Sequence, residues 1–564
     1  MPQCASAPAV PVGRLLCKNL AASVLVLGAL PWLNPFTFGP VASVLPWLFS
    51  AFAALLAVLA SSQLVQWREP VMGPSWSLRG ALALLVLALW PRDALLPTYE
   101  ALALAGALVL VGLGAALACR LPPATAVGGL SWSTWCALLP WAVAAVASSV
   151  LALVQYFGHA GSLSPWVNWA LPGEAFANLR QRNQFASLTN IALGALLAYW
   201  LLSPRRLGTW RTAGAMIAAA LLVAGNAAAA SRTGLLQLVV LAGIALLWRR
   251  DARTLGWLAW MLGGYVVATF VLPWAAGLDP SMHGMFSRLR TGDALCSSRL
   301  TLWRNVLDLI AQRPWLGWGW GELDYAHYMT LYEGPRFCDI LDNAHNLPLH
   351  LAVELGVPAA LLFCAVCLWA VIVQRPWRET DPLRQMAWMV LAVIALHSLL
   401  EYPLWYGPFQ LACGLSLGLL WRGQSVRRRR AVALPLVWAG LLLGACFYAA
   451  WDYRRISQIY LPPAQRLPQY QDDTLAKIKH SWLFRRQVQF AELSISTVTP
   501  ENAAHIHALA SALLHFSPEA KLVEKLLDAA LVLGYDEEVR QHRARFEAAF
   551  PEAYARWVAR QGLR

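Results

Sequence analysis

One segment of the chain has residue types suited to proton transfer. Asp342–His350 places His345 beside Asn346, between a polar stretch and an apolar run. A histidine at such a boundary exchanges protons near neutral pH, and the Asn346 amide would orient the imidazole or a sugar. The alternative is a structural histidine satisfied within the fold. A metal site from His345 and His350 is not expected, because their spacing misses the one-turn pairing of zinc-binding helices.

Several arginines and amides adjoin predicted helix starts on the same side of the chain's apolar runs. The free N–H groups of a helix start attract anions, and arginine binds phosphate and pyrophosphate groups through paired hydrogen bonds. The alternative is that these arginines contact lipid headgroups. The residues concerned are Arg182 and Asn183, Arg232 in the Ser231–Gly234 segment, and Arg288, Arg290 and Arg299 in a long polar stretch.

A third polar cluster, His397–Tyr406, falls at a turn between two apolar runs. Glu401 would order a histidine or an arginine there, and the ring of Tyr402 would stack on a sugar. The alternative is the general enrichment of Trp and Tyr at membrane interfaces.

Cysteine usage points to one disulfide. Cys296 and Cys338 lie in the same long polar stretch, where an oxidising compartment permits a bridge between them. The other cysteines are predicted to be inert apolar residues, and no metal site is expected from Cys364 and Cys367.

Composition determines the class of protein that positions these residues. Of 564 residues, 58% are hydrophobic and 13% are charged, and the mean hydropathy is +0.50. Soluble domains contain roughly 25% charged residues, so most of this surface must face lipid. The composition predicts an all-α, polytopic membrane protein and excludes soluble enzymes, disulfide-rich secreted modules and disordered chains.

The apolar runs predict about 13 membrane-spanning helices. Their predicted ranges are 15–33, 41–61, 76–91, 100–118, 132–154, 184–203, 210–227, 233–248, 255–275, 347–373, 384–400, 405–421 and 432–451.

Charge distribution predicts the orientation of these helices. Lys and Arg concentrate in alternate connections, whereas the opposite short connections carry only Arg92, Arg180, Arg182 and Arg232. By the positive-inside rule the amino terminus is cytoplasmic, and the first apolar run is a retained helix rather than a cleaved signal peptide. The net charge of +14 is then a topology signal, and no nucleic-acid partner is expected.

Two polar regions fall outside the membrane by this topology: the loop 275–343 and the tail 453–564. The tail alternates amphipathic helical runs with breaks such as Ser517-Pro518 and Gly534, which predicts helical hairpins of a tetratricopeptide-like kind. The predicted domains are therefore a membrane domain, 1–452, and a helical tail domain, 453–564. The tail would serve as a cap on the membrane domain or as a protein-binding module.

Four motifs resemble the bacterial O-antigen ligase/polymerase (Wzy_C-type) superfamily. Ser298–Trp303 followed by Arg313–Gly319 resembles its SRL–x–x–W…P–x–x–G–x–G signature, and Ser231–Gly234 resembles its other arginine motif. His345–Gly356 resembles the His-Asn–x9–Gly–x–x–Gly pattern of the ligases, with Ala359 in place of the last glycine. Further segments resemble the protein O-oligosaccharyltransferase branch, which glycosylates pilins. They are Leu33–Phe36, Gln181–Asn183, His397–Tyr406, Trp451–Tyr453 and Phe550–Trp557.

The resemblance implies a GT-C-like enzyme of the bacterial inner membrane that moves a glycan en bloc from undecaprenyl pyrophosphate to Ser or Thr hydroxyls. The acceptor would be a pilin or another periplasmic protein. His345 would be the general base, and Arg299 and Arg232 would stabilise the pyrophosphate, assisted by Arg182 and Arg288. The reaction would invert the anomeric carbon and need no metal or other cofactor. The remaining substrate-binding candidates are Asn183, Asn346, Glu401 and Tyr402.

Three other functions stay open at this point. An O-antigen ligase would use a lipid A–core sugar as acceptor, and a polymerase would extend the lipid-linked glycan itself. A transporter of lipid-linked sugars is more remote, because its polar groups should lie near mid-membrane.

Overall fold

A computed structural model gives the fold. It describes residues 28–36, 38–62, 69–70, 99–120, 132–203, 208–290, 295–421, 425–426 and 433–562. Within these ranges the regular secondary structure is helical, apart from a two-residue antiparallel pair, β1 (Glu69–Pro70) with β2 (Ser425–Val426). The predicted span 76–91 and most of 15–33 lie outside the described residues.

The membrane part contains ten of the described helices longer than a few turns. They are α1 (Val44–Ser62), α2 (Tyr99–Arg120), α3 (Trp132–Tyr156), α4 (Arg182–Leu202), α5 (Thr209–Ala229), α6 (Arg232–Trp248), α7 (Ala252–Ala275), α12 (Val357–Gln374), α13 (Pro382–Ser398) and α14 (Gly407–Trp421), and α15 (Ala433–Ile456) leads from them into the tail. Six described helices are long and apolar enough to cross a membrane: α2, most of α3, α4, α5, α7 and α12. The prediction of a polytopic helical membrane protein therefore agrees with the structure, and the count of thirteen spans stays a prediction.

One predicted helix is wrong as a continuous element. The apolar run 347–373 is broken into α11 (Leu347–Leu355) and α12 at Gly356, which has φ +90°. A Cβ at this position would lie 2.2 Å from the carbonyl oxygen of Trp315. The close approach of the Trp315 backbone requires a glycine here, and an apolar pattern carries no sign of that contact.

Helix α4 is the centre of the membrane part. It packs against α3, α5, α6 and α13, and most of its length is buried. Its polar side chains are hydrogen-bonded to neighbouring helices: Asn190 Nδ2 donates to Gln237 Oε1 (3.0 Å), and Asn226 Nδ2 donates to Asn190 Oδ1 (3.0 Å). Because a buried polar group is costly without a partner, these bonds fix the relative positions of α4, α5 and α6.

The predicted loop 275–343 folds into short helices: α8 (Met285–Arg290), α9 (Arg299–Gln312) and α10 (Leu323–Met329). Leu302 and Val306 of α9, Leu323 of α10 and Val353 of α11 share one buried cluster. The loop therefore has an apolar core that is continuous with α11.

The tail consists of short helices, most of them joined at proline or glycine: α16 (Thr474–Ile478), α17 (Arg485–Ile495), α18 (Ala503–Leu513), α19 (Ala520–Leu533), α20 (Asp536–Ala549) and α21 (Pro551–Gln561). The predicted breaks coincide with helix ends, since Ser517-Pro518 lies between α18 and α19 and Gly534 ends α19 in a left-handed conformation. Tyr328 of α10 lies inside the apolar core of the tail, and its hydroxyl is 2.9 Å from Nδ1 of His542. The tail is thereby joined to the loop.

Candidate active site

The carboxylate of Glu401 is the meeting point of the candidate site. Glu401 follows α13, its N–H donates to the carbonyl of His397 (2.8 Å), and its side chain is 6% exposed. Arg299 donates to Oε1 of Glu401, as does Asn183 at 3.1 Å. His345 Nδ1 lies 2.9 Å and Gln181 Nε2 3.2 Å from Oε2. These five residues are called the Glu401 network below.

The surroundings of Glu401 favour its charged form. Burial alone would raise the pKa of this carboxyl, but the hydrogen bond with His345 and the charges of His345 and Arg299 outweigh burial and hold the pKa below its ordinary value. Glu401 is therefore an anion at neutral pH, and it fixes both the imidazole and the guanidinium.

His345 is held in a specific orientation by its own backbone and by its neighbour. It has φ +49°, and its N–H donates to Oδ1 of Asn343 (2.9 Å). Asn346 caps the start of α11 by accepting from the N–H of Leu349 (3.1 Å), and it donates to the carbonyl of Leu399 (3.0 Å). These bonds attach the start of α11 to the turn that carries Glu401.

The imidazole of His345 has one nitrogen directed at Glu401, which leaves Nε2 for a substrate proton. Its side chain is 26% exposed, and the ring of Tyr402 stands edge-on to it, with ring centroids 5.0 Å apart. A histidine held by a carboxylate at Nδ1 presents its other nitrogen as a base, as in hydrolase triads.

Arg299 is the first residue of α9, which is capped by the Ser298 hydroxyl. Its side chain is one-third exposed, and its Nε is buried without a hydrogen-bond partner among the described residues. A buried N–H without a partner is costly, and the exposed third of the side chain is the part that an anionic ligand can contact.

Arg232 lies at the start of helix α6, which is bonded to the network through Ser231, and Arg288 lies on a helix that packs against α6. Asn183 Oδ1 accepts from the Ser231 hydroxyl (2.6 Å), and that hydroxyl caps α6 by accepting from the N–H of Gly234 (2.9 Å). Arg232 is the first residue of α6 and is exposed, and the short helix α8 that carries Arg288 packs against α6. The start of α6, with its positive dipole end, thus lies next to the Glu401 network.

Arg182 is directed elsewhere. Its guanidinium pairs with Glu174 at 2.5 Å, whereas the adjacent Asn183 joins the network. The sequence indicates the basic character of Arg182 but contains no sign of this local partner.

A glycine-rich segment holds the other end of α11. Trp318 N–H donates to the carbonyl of Val353, Gly319 N–H to the carbonyl of Glu354 (both 2.9 Å), and Gly321 N–H to the Glu354 carboxylate (3.0 Å). Gly317 has φ +68°, and a Cβ there would lie 2.3 Å from the Glu354 carbonyl carbon. The P–x–x–G–x–G motif therefore holds the end of α11 in place. His345 lies two residues before the start of that helix.

A disulfide joins the two segments that carry Arg299 and His345. Cys296 and Cys338 are bonded, with Cα atoms 5.3 Å apart, and Cys338 N–H donates to the carbonyl of Cys296 (3.2 Å). The bridge lies three residues before Arg299. Trp303 Nε1 also donates to the carbonyl of Ala344 (3.1 Å), which is next to His345.

Other polar partners of the site were not singled out from the sequence. The fully buried His397 contacts the Ser187 hydroxyl through Nδ1 (2.9 Å), and Ser187 accepts from Gln237 Nε2 (2.8 Å). The available signal was the presence of Ser187 and Gln237 inside apolar helices, where polar residues are costly. In the ranges that the structure describes, no group of three or more His, Cys, Asp or Glu residues is arranged to hold a metal ion.

Two parts of the chain match known families. Residues 217–364 match the family described as O-antigen ligase, and residues 385–562 match the one described as virulence factor membrane-bound polymerase, C-terminal. The first range contains Arg232, Arg299 and His345, and the second begins inside α13 and contains Glu401.

Two curated proteins of Acinetobacter baylyi are similar to the chain. A general O-oligosaccharyltransferase is 24% identical over 223 residues, which cover 36% of this chain and 39% of that protein. A ComP-specific O-oligosaccharyltransferase is 25% identical over 253 residues, which cover 44% of each. The matches thus span about two fifths of the length of these relatives.

Proposed function

We propose that this chain, which contains O-antigen ligase family domains and is homologous to O-oligosaccharyltransferases, transfers an oligosaccharide from a lipid pyrophosphate to a protein hydroxyl. The donor is undecaprenyl-pyrophosphate-linked glycan, and the acceptor is a Ser or Thr of a pilin or another periplasmic protein. The observation that carries the proposal is the Glu401 carboxylate, which holds a base, His345, and a cation, Arg299, in one site.

His345 acts as the general base. The acceptor hydroxyl is a poor nucleophile, so Nε2 of His345 takes its proton as the oxygen bonds to the anomeric carbon. The bond between that carbon and the pyrophosphate oxygen breaks with its electron pair on the oxygen. Attack from the side opposite the leaving group inverts the anomeric carbon. Glu401 stabilises the imidazolium formed in this step, because its carboxylate already contacts Nδ1.

The arginines stabilise the leaving pyrophosphate. The Nε donor of Arg299 has no hydrogen-bond partner in the described part of the chain, and Arg232 stands at the positive end of α6. Arg288 is a secondary contributor, whereas Arg182, also a candidate from the sequence, is left out because its guanidinium pairs with Glu174. Cations held this way do the work that a divalent metal does elsewhere, so we propose a metal-independent reaction. Full activity in EDTA is expected, and activity lost in EDTA and restored by Mg²⁺ or Mn²⁺ would contradict this part.

The predicted topology places the site at the periplasmic face of the inner membrane, with the amino terminus in the cytoplasm and the tail in the periplasm. Support comes from the arginine distribution, since basic residues favour the connections opposite the site. A lipid-linked donor in the outer leaflet then reaches Arg299 without crossing the membrane.

A second candidate is transfer to a lipid A–core sugar, which the O-antigen ligase match over residues 217–364 favours. The chemistry at His345 is the same, and only the acceptor differs. The match over residues 385–562 keeps glycan polymerisation as a third outcome.

The test is intact-mass analysis of periplasmic and pilin proteins from cells that supply a defined lipid-linked glycan. The compared strains lack the gene or carry wild type, His345→Ala or His283→Ala, the last being an exposed loop histidine. We expect a glycan-sized mass shift in wild type and His283→Ala, reduced roughly 10²–10⁴-fold in His345→Ala. A change in lipopolysaccharide banding without any protein shift would replace the proposal by the ligase or polymerase function. No change in either product would favour a transporter.

A further inference from the structure

The short helix α8 folds back against the last turns of α7. A Cβ on Gly284, the residue before α8, would lie 3.9 Å from the carbonyl oxygen of Thr269. The ring of Phe286 packs against that of Phe270, with ring centroids 5.0 Å apart. Phe270 precedes Ala275, the last residue of α7, by five residues, a rise of about 8 Å. Because α7 is long and apolar enough to span a membrane, α8 lies at the depth of the end of that span.

One side of α8 belongs to the interior of the membrane part. Met285 is buried, and it shares an apolar cluster with Leu241 of α6 and Tyr265 of α7. Helix α8 also packs against α6, whose start is bonded to the Glu401 network. The helix is therefore fixed to the bundle on the side of the candidate site, although it belongs in sequence to the polar loop.

The opposite side of α8 is apolar and exposed. Phe286 is 46% exposed and Leu289 is 56% exposed, and their spacing of three residues puts them on one side of the helix. Phe286 extends an exposed apolar stripe on α7, which consists of Val266, Val267, Phe270, Val271 and Trp274. An exposed apolar stripe on a helix that spans a membrane faces lipid. The exposed side of α8 thus continues a lipid-facing surface.

The charges around α8 are those of a helix lying in a membrane surface. Arg290 is exposed one turn after Phe286, and Arg288 is half-buried between them. The connection from α7 contains one carboxylate, Asp279, which accepts from the N–H of Ser281 (2.8 Å). Two guanidinium groups outweigh this single carboxylate. In interfacial helices the apolar side chains enter the acyl region, and arginine side chains extend to the lipid phosphates.

We propose that α8 is embedded in the leaflet on the side of the candidate site, with Phe286 and Leu289 among the acyl chains and Arg290 at the lipid phosphates. The polar loop that the sequence predicts from residue 275 therefore leaves the membrane only after α8. One consequence rests on the proposed function: α8 holds Arg288 at the depth of lipid phosphates, where the pyrophosphate of a membrane-bound donor lies. The lipid contact itself does not depend on that function.

Photocrosslinking tests the lipid contact without any transfer reaction. The full chain carries benzoylphenylalanine in place of Phe286 or, as a second position on the same side, Leu289. The matched control carries it in place of Leu331, an exposed apolar residue that follows the tail-bound helix α10. Each protein is irradiated in vesicles of phosphatidylethanolamine and phosphatidylglycerol that contain no donor, and its peptides are analysed by mass spectrometry. Positions 286 and 289 should carry phospholipid adducts at about tenfold or more the yield at position 331, because an interfacial helix buries its apolar side in the acyl region.

Three results would overturn the lipid contact. Adduct yields at positions 286 and 289 no higher than at position 331 would show that α8 lies in water. Crosslinks from these positions to a second copy of the chain would show that protein covers this side. Adducts that form only after a polyprenyl-linked donor is added would assign the surface to the donor chain instead of the bilayer.

The donor KM tests the consequence for Arg288 separately. In the same vesicles, Leu289→Ser removes apolar burial from α8 and should raise the donor KM about fivefold to tenfold. The acceptor KM and the melting temperature should stay at wild-type values, and Leu331→Ser should match wild type in all three. An unchanged donor KM beside normal lipid adducts would overturn the consequence alone. Absence of transfer by wild type would overturn the proposed function, while the lipid adducts would still decide the position of α8.

Discussion

Nδ1 of His345 lies 2.9 Å from Oε2 of Glu401, whose other oxygen contacts Arg299. One carboxylate thus fixes the proton acceptor and a cation of the proposed reaction at the same time. Because the contacts use both oxygens, a change at Glu401 affects both roles, whereas a change at either partner affects one.

The first prediction concerns this shared contact. Glu401→Gln keeps the shape of the side chain but removes the charge that orients and stabilises the imidazole, so transfer should fall roughly 10²–10⁴-fold. The measurement is the initial rate of glycan transfer by purified protein. Glu333→Gln, at an exposed loop position, is the matched control. A Glu401→Gln enzyme within threefold of that control would exclude Glu401 from the mechanism.

The second prediction concerns the disulfide. The double substitution Cys296→Ser and Cys338→Ser removes a bridge between cysteines 42 residues apart in sequence. The loss of loop-closure entropy in the unfolded chain predicts that such a bridge stabilises the fold by about 3–4 kcal/mol. We expect a lower melting temperature and slower transfer, because the segments of Arg299 and His345 lose their covalent link. Cys364→Ala, at a free cysteine of α12, should leave both quantities near wild type. Wild-type stability and rate in the double variant would show that the link is dispensable.

The third prediction concerns how the stability of the protein depends on pH through His542, the tail residue that contacts Tyr328 of the loop. Burial, followed by the positive charge of Arg545, lowers the pKa of His542 to about 4. An unfolded histidine titrates near 6.5, so the stability linked to the neutral imidazole is complete above about pH 6.5 and is lost as the pH falls towards 4. Melting temperatures between pH 7.5 and 5 should fall more steeply for wild type than for His542→Phe. Parallel curves would remove His542 as a source of the pH dependence.

The fourth prediction concerns the close backbone contact between Gly317 and the end of α11. Gly317→Ala places a methyl group against the Glu354 backbone at a left-handed position, which should destabilise the protein by about 2 kcal/mol or more. Gly243→Ala in α6 meets open space, and as a helix-interior substitution it should stabilise by about 0.5–1 kcal/mol. Thermal unfolding in detergent measures both changes. Equal melting temperatures would show that the segment yields to the methyl group.

Much of the fold follows from the sequence because its elements have local causes. Apolar runs place helices such as α4 and α7, and Gly534 and Pro551 determine helix ends in the tail. The break at Gly356 has a distant cause, the backbone of Trp315, and an apolar run continues through it unchanged.

The candidate site, like the fold, was predictable only in part from the sequence. Residue chemistry is enough to select His345, Arg299 and Glu401 as candidates, because a base, a cation and an acid near apolar runs are uncommon. Their arrangement depends on contacts between segments far apart in the chain, such as Asn183 with Ser231. Arg182 shows the limit of residue type alone, since its charge is taken up by Glu174.

The position of Tyr328 has a consequence for biosynthesis. Its helix, α10, belongs to the loop, but Tyr328 shares a buried apolar cluster with side chains of α17–α21, which are translated after it. Until those helices emerge from the ribosome, α10 exposes an apolar face and the loop that carries Arg299 lacks its support. A chain stopped before α17 would therefore carry every residue of the Glu401 network without a finished loop.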